Sequence, residues 1–568
     1  MFKAVATMRR RPAVTPVVQD QHGKLVGRAQ EAVAIVKEHF QRQFTNEHAS
    51  AIEPFIGEPR PLDRPITTSE LRDSFKKLNN GRACGPDGIA AELLKYGGEK
   101  LLEAMIRLLN RVFETHQPLD LGLGTLIALQ KPNKKKGPPG NLRPIVLLTA
   151  LRKAVSLLTL KRISHRVNTF LSDNQSGFRA GRSTADAVWC HKWLAATVQK
   201  YKYVIEILGI DMSKAFDTIQ RHRLLAVLET FLLPDDLRLV RLLIANTTLS
   251  VRLGGFESTP FHTTIGTPQG DSLSPVLFVV YLDAALRDVL ATAPPRSPAD
   301  STLPIDIIYA DDTDFVSTSS AWLAQLEPLA ATVLRQWNLH VNAEKTEHTK
   351  HTRQQDRVSE EWRMTKKLGS LIGDDEDITR RKQLATASYR AMYSLWKRRT
   401  LVREELSRRL YNAFVMPVLL YNSGTWAPTS VAEAQLDSFH RRQLRSLIGI
   451  RWPQTISNAA LYKRCKAQPI SNFVRLARWR LFGHILRMPD GCPAVAAMIN
   501  YYQVKETVWR GRPRTTLPIV LSRDLQRVGR RGFKTLSDLL SLREIAQGRG
   551  EWKDLCKDVC KSNSGVYD

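Results

Sequence analysis

Two groups of acidic residues carry the clearest chemical signal in the sequence. Residues 210–217 read IDMSKAFD, in which Asp211 ends an apolar run, and residues 308–312 read IYADD, in which Asp311 and Asp312 are adjacent. Adjacent carboxylates at a tight turn repel each other unless a cation neutralises them. A lone Asp-Asp pair can be an exposed turn, but that reading does not explain Asp211. The pattern therefore predicts a cation site made of these three side chains.

The ion predicted at this site is Mg²⁺, with Mn²⁺ as the alternative. Carboxylate oxygens that leave several positions for water suit Mg²⁺. Two such ions about 4 Å apart hold the attacking and the leaving oxygen of an in-line displacement at phosphorus. We therefore expect two metal ions at Asp211, Asp311 and Asp312.

Strands are the elements predicted to position these carboxylates. Residues 201–211 (YKYVIEILGID) read as a buried strand, and residues 305–309 and 315–319 read as the two arms of a hairpin. After Asp377 the sequence becomes mostly helical. The middle of the chain is thus predicted to be mixed α+β and the tail mainly α-helical.

The N-terminal part and one later segment carry further expectations. Residues 29–44 have helical apolar spacing, the TTSE of residues 67–70 is a helix cap, and residues 90–113 read as one helix. Residues 291–303 (ATAPPRSPADSTL) are rich in Pro and small residues and read as a flexible insertion.

Composition points to an acidic partner. The chain has 568 residues, with 84 Lys and Arg against 55 Asp and Glu, a net charge of +29 and a pI near 10.0. Its 43% of hydrophobic residues excludes a disordered polyelectrolyte. Residues 152–314 are nearly neutral, with 18 basic and 17 acidic residues, whereas residues 441–568 have 25 basic and 9 acidic. The excess charge therefore suits nucleic acid or an anionic surface.

Cysteine usage and hydropathy indicate the compartment. The six cysteines are scattered and suit a reducing interior rather than a disulfide framework. No apolar stretch reaches the ~20 residues that a membrane span needs, so no membrane partner is expected. We therefore expect an intracellular protein.

The motifs resemble those of reverse transcriptases. Ala215-Phe216-Asp217 after Asp211, and Tyr309-Ala310 before the Asp pair, resemble the two metal-binding motifs of that family. Matching segments follow in family order, namely residues 141–148 (NLRPIVLL), 175–185 (QSGFRAGRSTA), 266–275 (GTPQGDSLSP), 342–346 (NAEKT) and 367–370 (KLGS).

The version resembled is the non-LTR retrotransposon (LINE-type) enzyme. Residues 85–89 (GPDGI) precede the other motifs, as in that group. Later segments are similar too, namely residues 416–426 (MPVLLYNSGTW), 439–452 (FHRRQLRSLIGIRW), 483–489 (GHILRMP) and 510–514 (RGRPR). The resemblance covers most of the chain from about residue 67 onward.

The resemblance implies a right-hand polymerase of the α+β class. It would have fingers, a palm with an antiparallel sheet, a thumb, and a mainly α-helical basic C-terminal region. The predicted divisions are 1–66 as an extension or linker, 67–112 as a helical lead-in, 113–373 as fingers and palm, 374–450 as a helical thumb, and 451–568 as a nucleic-acid-binding region.

The resemblance also assigns roles to single residues. Asp211, Asp311 and Asp312 would hold the metal ions, and Lys345 would protonate or steady the leaving pyrophosphate. Leu368 and Gly369 would form the primer grip. The expected nucleotide-binding residues are Lys131 and Arg143 at the triphosphate, Phe216 beneath the sugar, and Gln269 and Gly270 at a close backbone approach.

Arginines alternate with tryptophans in the tail. Basic groups beside aromatic rings suit phosphates together with base stacking, worth ~1–3 kcal/mol per stacked base. The alternative is that the tryptophans are core residues and the arginines are solvated. The predicted nucleic-acid contacts are Arg441, Arg445, Arg478 and Arg512.

The function implied is RNA-directed DNA synthesis with deoxynucleoside triphosphates, an RNA template and a DNA primer or target. The resemblance also implies a nuclear protein, with the RNA-bound form in the cytoplasm. LINE-type proteins usually carry an endonuclease, and no such pattern is evident, so a separate or missing nuclease is expected. Two alternatives stay open. One is a catalytically silent nucleic-acid-binding remnant of a retrotransposon, and the other is an intron maturase-like protein.

Overall fold

The chain folds into two units whose segments interleave. The computed structural model describes residues 17–46, 49, 52–117, 119–397 and 402–561. Unit I consists of Met1–Ser172, Met212–Ala293 and Leu329–Asn342, and unit II of Asp173–Asp211, Pro294–Pro328 and Ala343–Asp568.

Short strands occupy the middle of the chain. They are β1 (Leu123–Gln130), β2 (Leu142–Leu148), β3 (Ile205–Ile210), β4 (Met212–Ser213), β5 (Thr247–Leu253), β6 (Phe256–Glu257), β7 (Phe261–Thr263), β8 (Asp306–Tyr309), β9 (Asp312–Ser317), β10 (His340–Val341), β11 (Glu347–His351), β12 (Lys366–Lys367) and β13 (Ser370–Leu371).

Helices flank these strands and make up the tail. The first ten are α1 (Ala29–Phe44), α2 (Thr68–Lys77), α3 (Ala91–Tyr96), α4 (Gly98–Thr115), α5 (Ala150–Phe170), α6 (Thr184–Lys200), α7 (Arg221–Glu229), α8 (Pro234–Ile244), α9 (Ser274–Thr292) and α10 (Ser320–Gln336). The remainder are α11 (Asp374–Arg390), α12 (Tyr393–Lys397), α13 (Glu404–Phe414), α14 (Met416–Leu419), α15 (Ser430–Ile448), α16 (Asn458–Cys465), α17 (Ile470–Leu486), α18 (Pro493–Gln503), α19 (Leu517–Gln526), α20 (Leu536–Gln547) and α21 (Arg549–Lys561).

Unit I contains a five-stranded mixed sheet in the order β2-β1-β5-β6, with β7 also paired to β5. Strands β1 and β2 are antiparallel, whereas β1 and β5 are parallel. Helix α1 buries Val33, Val36 and Phe40, which recur at the spacing of one helical face. These residues pack with Leu126 and Val251 of the sheet.

Unit II contains a four-stranded antiparallel sheet in the order β11-β3-β9-β8. Its core joins the sheet to the helices of the tail. Trp189 and Trp193 of α6 are fully buried together with Trp479 and Phe482 of α17. The prediction of a mixed middle and a helical tail is confirmed.

Two local predictions are wrong. The single helix expected over residues 90–113 is broken at Gly97, whose Cβ would lie 2.5 Å from the oxygen of Leu93. The expected flexible insertion at residues 291–303 is instead anchored, because the buried carboxylate of Asp300 accepts hydrogen bonds from Thr318 N at 2.9 Å and Thr318 Oγ1 at 2.6 Å. Across the described residues, no helix combines the length and apolar character that crossing a bilayer requires.

Candidate active site

The hairpin β8–β9 of unit II carries the adjacent carboxylates. Ala310 and Asp311 form its two-residue turn, and Tyr309 pairs with Asp312 across it. Ala310 has a φ of 56°, a left-handed conformation that costs a non-glycine residue about 1–2 kcal/mol. The surrounding structure must therefore hold this turn in place.

Gln175 and Gly177 supply that support. The Oε1 atom of Gln175 accepts hydrogen bonds from Ala310 N at 2.9 Å and from Gly177 N at 2.7 Å. A Cβ on Gly177 would lie 2.2 Å from Ala310 N, so only glycine allows this approach. The segment that begins at Gln175 thus buttresses the turn beneath the carboxylates.

Strand β3 brings Asp211 to the same place. Its register pairs Ile210 with Thr313 of β9, so Asp211 emerges beside Asp312 at the end of the sheet. Asp211, Asp312 and Lys345 line one cavity of about 360 Å³ on unit II. The Nζ atom of Lys345 lies 2.8 Å from Oδ2 of Asp211. Asp211 and Asp312 thus share one cavity with this ammonium group, and Asp311 lies in the adjoining turn.

The electrostatics of this group reflect an excess of negative charge. Loss of hydration, together with Asp311 and Asp314, raises the pKa of Asp312 to about 6, although Lys367 opposes the shift. Loss of hydration and the charge of Asp211 also raise the pKa of Asp311. A cation that entered the cavity would relieve this repulsion.

The donor atoms match a hard divalent cation, but their present placement does not yet surround one. Carboxylate oxygens are the preferred ligands of hard divalent cations. Within the described ranges, no three His, Cys, Asp or Glu side chains are arranged around a single metal position. One oxygen of Asp211, Oδ2, instead lies 2.8 Å from the ammonium of Lys345.

A buried charged network lies under the carboxylates and was not predicted from the sequence. Asp314 accepts from Lys367 Nζ at 2.7 Å and lies 3.1 Å from Nε2 of His191. Burial opposes its ionisation, but these two partners outweigh burial and lower the pKa of Asp314. A Cβ on Gly209 would meet Asp314 Oδ1 at 2.7 Å. One signal was available, because Asp314 shares a strand face with Asp312.

The turn between β12 and β13 reaches the cavity through Leu368. Leu368 and Gly369 have φ values of 47° and 79°. The oxygen of Leu368 accepts from the hydroxyl of Tyr421 at 3.1 Å, and the oxygen of Gly369 accepts from Arg380 at 2.7 Å. The turn is thus fixed from several sides, as a part that contacts a substrate should be.

Three predicted nucleotide-binding residues lie together in unit I. The ring of Phe216 stacks on Phe278 with centroids 4.2 Å apart. The side chain of Gln269 donates from Nε2 to Asp217 Oδ1 at 2.8 Å. The backbone oxygen of Gln269 accepts from Val146 N at 2.7 Å. Gly270 has a φ of 123°, and a Cβ there would lie 2.7 Å from the oxygen of Val146.

Asp217 orients this group. Its other oxygen accepts from Nε2 of Gln43 on α1 at 2.8 Å, so the carboxylate bridges two glutamines. Burial raises the pKa of Asp217 to about 6 despite those bonds and the charge of Lys214. Asp217 therefore positions the side-chain amides of Gln43 and Gln269.

The two predicted triphosphate contacts differ in their surroundings. Arg143 on β2 is exposed. Lys131 donates from Nζ to the oxygen of Gly140 at 2.9 Å and closes the basic loop between β1 and β2. Arg143 is thus the side chain of this pair more readily available to a ligand.

The four tail arginines predicted to contact nucleic acid differ in their solvent exposure. Arg478 is fully buried and its Nη1 lies 2.7 Å from Asp524 Oδ2, so its prediction as a nucleic-acid contact is wrong. Arg512 is exposed, and Arg441 is half-buried. Arg445 is also half-buried and donates to Asn458 Oδ1 at 2.8 Å, which ties α15 to α16.

The tryptophans of the tail divide in the same way. Trp479 is completely buried, and Trp509 donates from Nε1 to the oxygen of Val198 at 3.2 Å. Trp452 is 89% exposed beside the exposed Arg451. Trp452 is therefore the tryptophan of this set that a base can reach.

Carboxylates at a strand end and at a hairpin turn, facing a lysine, define a candidate polymerase site. Residues 131–365 match the family model described as reverse transcriptase (RNA-dependent DNA polymerase). This part of the chain is a reverse transcriptase domain.

Curated relatives come from non-LTR retrotransposons. The chain is 23% identical over 362 residues to a probable RNA-directed DNA polymerase from transposon BS of Drosophila melanogaster, which covers 61% of this chain and 40% of the relative. It is 21% identical over 363 residues to the RNA-directed DNA polymerase from the mobile element jockey of the same species. That alignment covers 61% of this chain and 39% of the relative.

A third relative is the retrovirus-related Pol polyprotein from the type-1 retrotransposable element R1 of Bradysia coprophila, which is 30% identical over 176 residues. That alignment covers 30% of this chain and 17% of the relative. The chain thus spans less than half the length of these relatives. A solved structure of apo telomerase from Candida tropicalis aligns with a TM-score of 0.32 and 13% identity over 42% of this chain and 52% of that chain.

Proposed function

We propose that the protein is an RNA-directed DNA polymerase of a non-LTR retrotransposon, which extends a DNA 3′ end on an RNA template. The observation that carries the proposal is the cavity in which Asp211 and Asp312 face Lys345, with Asp311 in the adjoining turn. The likeness to polymerases of mobile elements supports it.

Two Mg²⁺ ions are the proposed cofactor, held by Asp211, Asp311 and Asp312. When bound, they lower the pKa of the primer 3′-hydroxyl and neutralise the triphosphate. The raised pKa of Asp312, about 6, is the kind of repulsion that such charge relieves. Lys345, 2.8 Å from Asp211, is proposed to move to the leaving pyrophosphate and to steady it or donate a proton.

The primer end is proposed to rest on Leu368 and Gly369. Leu368 lines the cavity, and its turn is held by Tyr421 and Arg380. A rigid turn at this point favours a near-attack position of the 3′-hydroxyl, because misplacement by about 1 Å can lower a rate about 100-fold.

The nucleotide is proposed to bind the unit I group. Arg143 and Lys131 would contact phosphates, and Gln269 with Gly270 would present backbone to the nucleotide. Phe216 would exclude a 2′-hydroxyl, and its stacking on Phe278 limits the room to move aside. Deoxynucleotides are therefore the proposed substrates.

The right-hand architecture is part of this proposal. Fingers and palm would span residues 113–373 after the extension 1–66 and the lead-in 67–112, with a thumb over 374–450 and a nucleic-acid-binding region over 451–568. The four-stranded sheet of unit II suits a palm. In the tail, Arg441, Arg445, Arg512 and the exposed Trp452 are the proposed contacts, without Arg478. A nuclear site of action and a separate nuclease remain part of the same hypothesis.

Primer extension on an RNA template tests the function. We expect the protein to extend an annealed DNA primer with deoxynucleotides and Mg²⁺, to stop when EDTA removes the metal, and to use ribonucleotides poorly. A protein that binds the primer–template but makes no product would be a silent remnant. Selective binding to a structured intron RNA, with no extension, would favour the maturase-like alternative.

A further inference from the structure

A groove between α17 and α21 of unit II is lined by cations. It has a volume of about 480 Å³, and its walls include Arg480, Arg487, Arg549, Lys553 and Lys557 but no acidic residue. None of these five cations lines the cavity that holds Asp211 and Asp312. The groove is therefore a separate feature of the same unit.

Helix α21 sorts its charges by face. Arg549, Lys553 and Lys557 are four residues apart and line the groove, whereas Glu551, Asp554 and Asp558 do not. Like charges at this spacing destabilise a helix by about 0.2–0.5 kcal/mol per pair. The cationic face is thus kept at a cost to stability, which a polyanion would remove.

Among the described residues, most cations of the groove lack the acidic partners that cations elsewhere in the tail have. Exposed Arg464 pairs with Glu404, and Arg543 pairs with Asp490. In the groove, Lys557 pairs with Asp554 at 2.7 Å. The other four cations of the groove make no ion pair with any acid in the part of the chain that the structure describes, namely Arg480, Arg487, Arg549 and Lys553.

The floor of the groove is firmly packed. Trp552 is 4% exposed and donates from Nε1 to the oxygen of Trp479 at 3.0 Å. A Cβ on Gly483 would lie 2.0 Å from that Nε1, so glycine is required beneath the ring. Arg487 is held by the oxygen of Ala546 at 3.0 Å, and its pKa is lowered by burial and by Arg549.

The shape of the charged surface distinguishes between polyanions. A bilayer is met by a projecting surface with exposed apolar side chains, whereas these cations line a recess. A positively charged groove that follows a backbone is typical of single-strand binding. The geometry therefore favours a nucleic-acid strand over a membrane.

We propose that the groove between α17 and α21 binds the sugar–phosphate backbone of single-stranded RNA, at a site separate from the polymerase cavity. The choice of RNA rests on the proposed function, in which an RNA template is the long single strand present. Arg480, Arg549 and Lys553 are the main phosphate contacts, and Arg487 and Lys557 complete the groove.

Fluorescence anisotropy with a short labelled RNA of mixed sequence tests this site in the full chain. The variant Arg480→Gln, Arg549→Gln, Lys553→Gln should bind roughly 10-fold more weakly. The slope of log affinity against log salt should become shallower by about 2, because each lost contact to a single strand removes about 0.7. The matched control is Lys463→Gln, Arg530→Gln, Arg531→Gln, which removes three exposed cations outside the groove and should have the smaller effect.

Three results would overturn the site. The first is an equal loss of RNA affinity in the groove variant and in the control variant. The second is a groove variant that loses affinity only for single-stranded DNA of the same sequence. The third is a groove variant with unchanged RNA affinity but reduced pelleting on phosphatidylserine vesicles. The assay needs no DNA synthesis. A parent chain that binds RNA but does not polymerise would thus contradict the proposed function without affecting this test.

Discussion

Two clusters of charge in unit II have opposite balances. In the cavity, Asp211 and Asp312 face the ammonium of Lys345, which is 56% exposed. In the helical tail, Asp524 is fully buried and lies within 4 Å of three arginines, Arg475, Arg478 and Arg527. The first cluster has an excess of acid that water and ligands can reach, whereas the second is closed and rich in base.

The difference separates function from folding. A buried carboxylate surrounded by guanidinium groups holds α17 and α19 together, and removing one partner leaves a buried charge uncompensated. An accessible excess of carboxylates weakens the fold and has no structural benefit, so it indicates a cation-dependent role. Substitutions in the two clusters should therefore have opposite effects on activity and on stability.

Removing a charge from the cavity cluster of Asp211, Asp312 and Lys345 should slow catalysis without lowering the free energy of unfolding. Asp312→Asn is expected to slow DNA synthesis at least about 1,000-fold, the equivalent of about 4 kcal/mol. Its free energy of unfolding should be unchanged or higher, because the repulsion from Asp311 and Asp314 disappears. Primer extension and chemical denaturation measure the two effects. The exposed Asp120→Asn is the charge-matched control, and comparable slowing there would contradict the prediction.

Removing a charge from the buried cluster around Asp524 should instead lower the free energy of unfolding. Arg478→Met is expected to lower the free energy of unfolding by about 3–5 kcal/mol, because Asp524 loses its 2.7 Å partner. Denaturant titration measures the loss, and the exposed Arg531→Met is the control. Adding Asp524→Leu to Arg478→Met should restore most of the stability. A fully stable Arg478→Met would show that the cluster does not hold the fold.

A smaller, pH-dependent effect is expected at Asp217 in unit I. Burial raises its pKa from 3.8 to about 6, so the folded state binds the proton more tightly than the unfolded state. Its contribution to stability is therefore full below 3.8 and is lost as the pH rises through about 6. The loss is at most about 3 kcal/mol. Unfolding curves across this range should differ between the parent and Asp217→Asn, and identical pH dependence would contradict the assignment.

Sequence patterns were sufficient for the carboxylates. Asp211 follows strand β3, Asp311 lies in the hairpin turn and Asp312 begins β9, and all three positions follow from local sequence signals. The support beneath them was missed because Asp314, His191 and Lys367 come from three distant segments, which only the folded sheet brings together. Motifs of neighbouring residues do not show which distant segments meet in the folded sheet.

Arg478 shows where composition misleads. Helix α17 carries arginines on both faces, and Arg475 and Arg478 lie on the face of the buried Trp479 and Phe482. Arg480, by contrast, is exposed. Periodicity could have separated the two sets, because a cation in helical phase with core aromatics points inward.

We propose that Asp211, Asp311 and Asp312 hold catalytic divalent ions. The most direct measurement is the rate of a single deoxynucleotide addition to a DNA primer annealed to an RNA template as Mg²⁺ is titrated, for the parent and for Asp311→Asn. We expect the parent to require Mg²⁺, and the variant to remain at least about 1,000-fold slower at saturating Mg²⁺ with unchanged primer–template affinity. Metal-independent addition by the parent, or a variant that matches it, would contradict the claim.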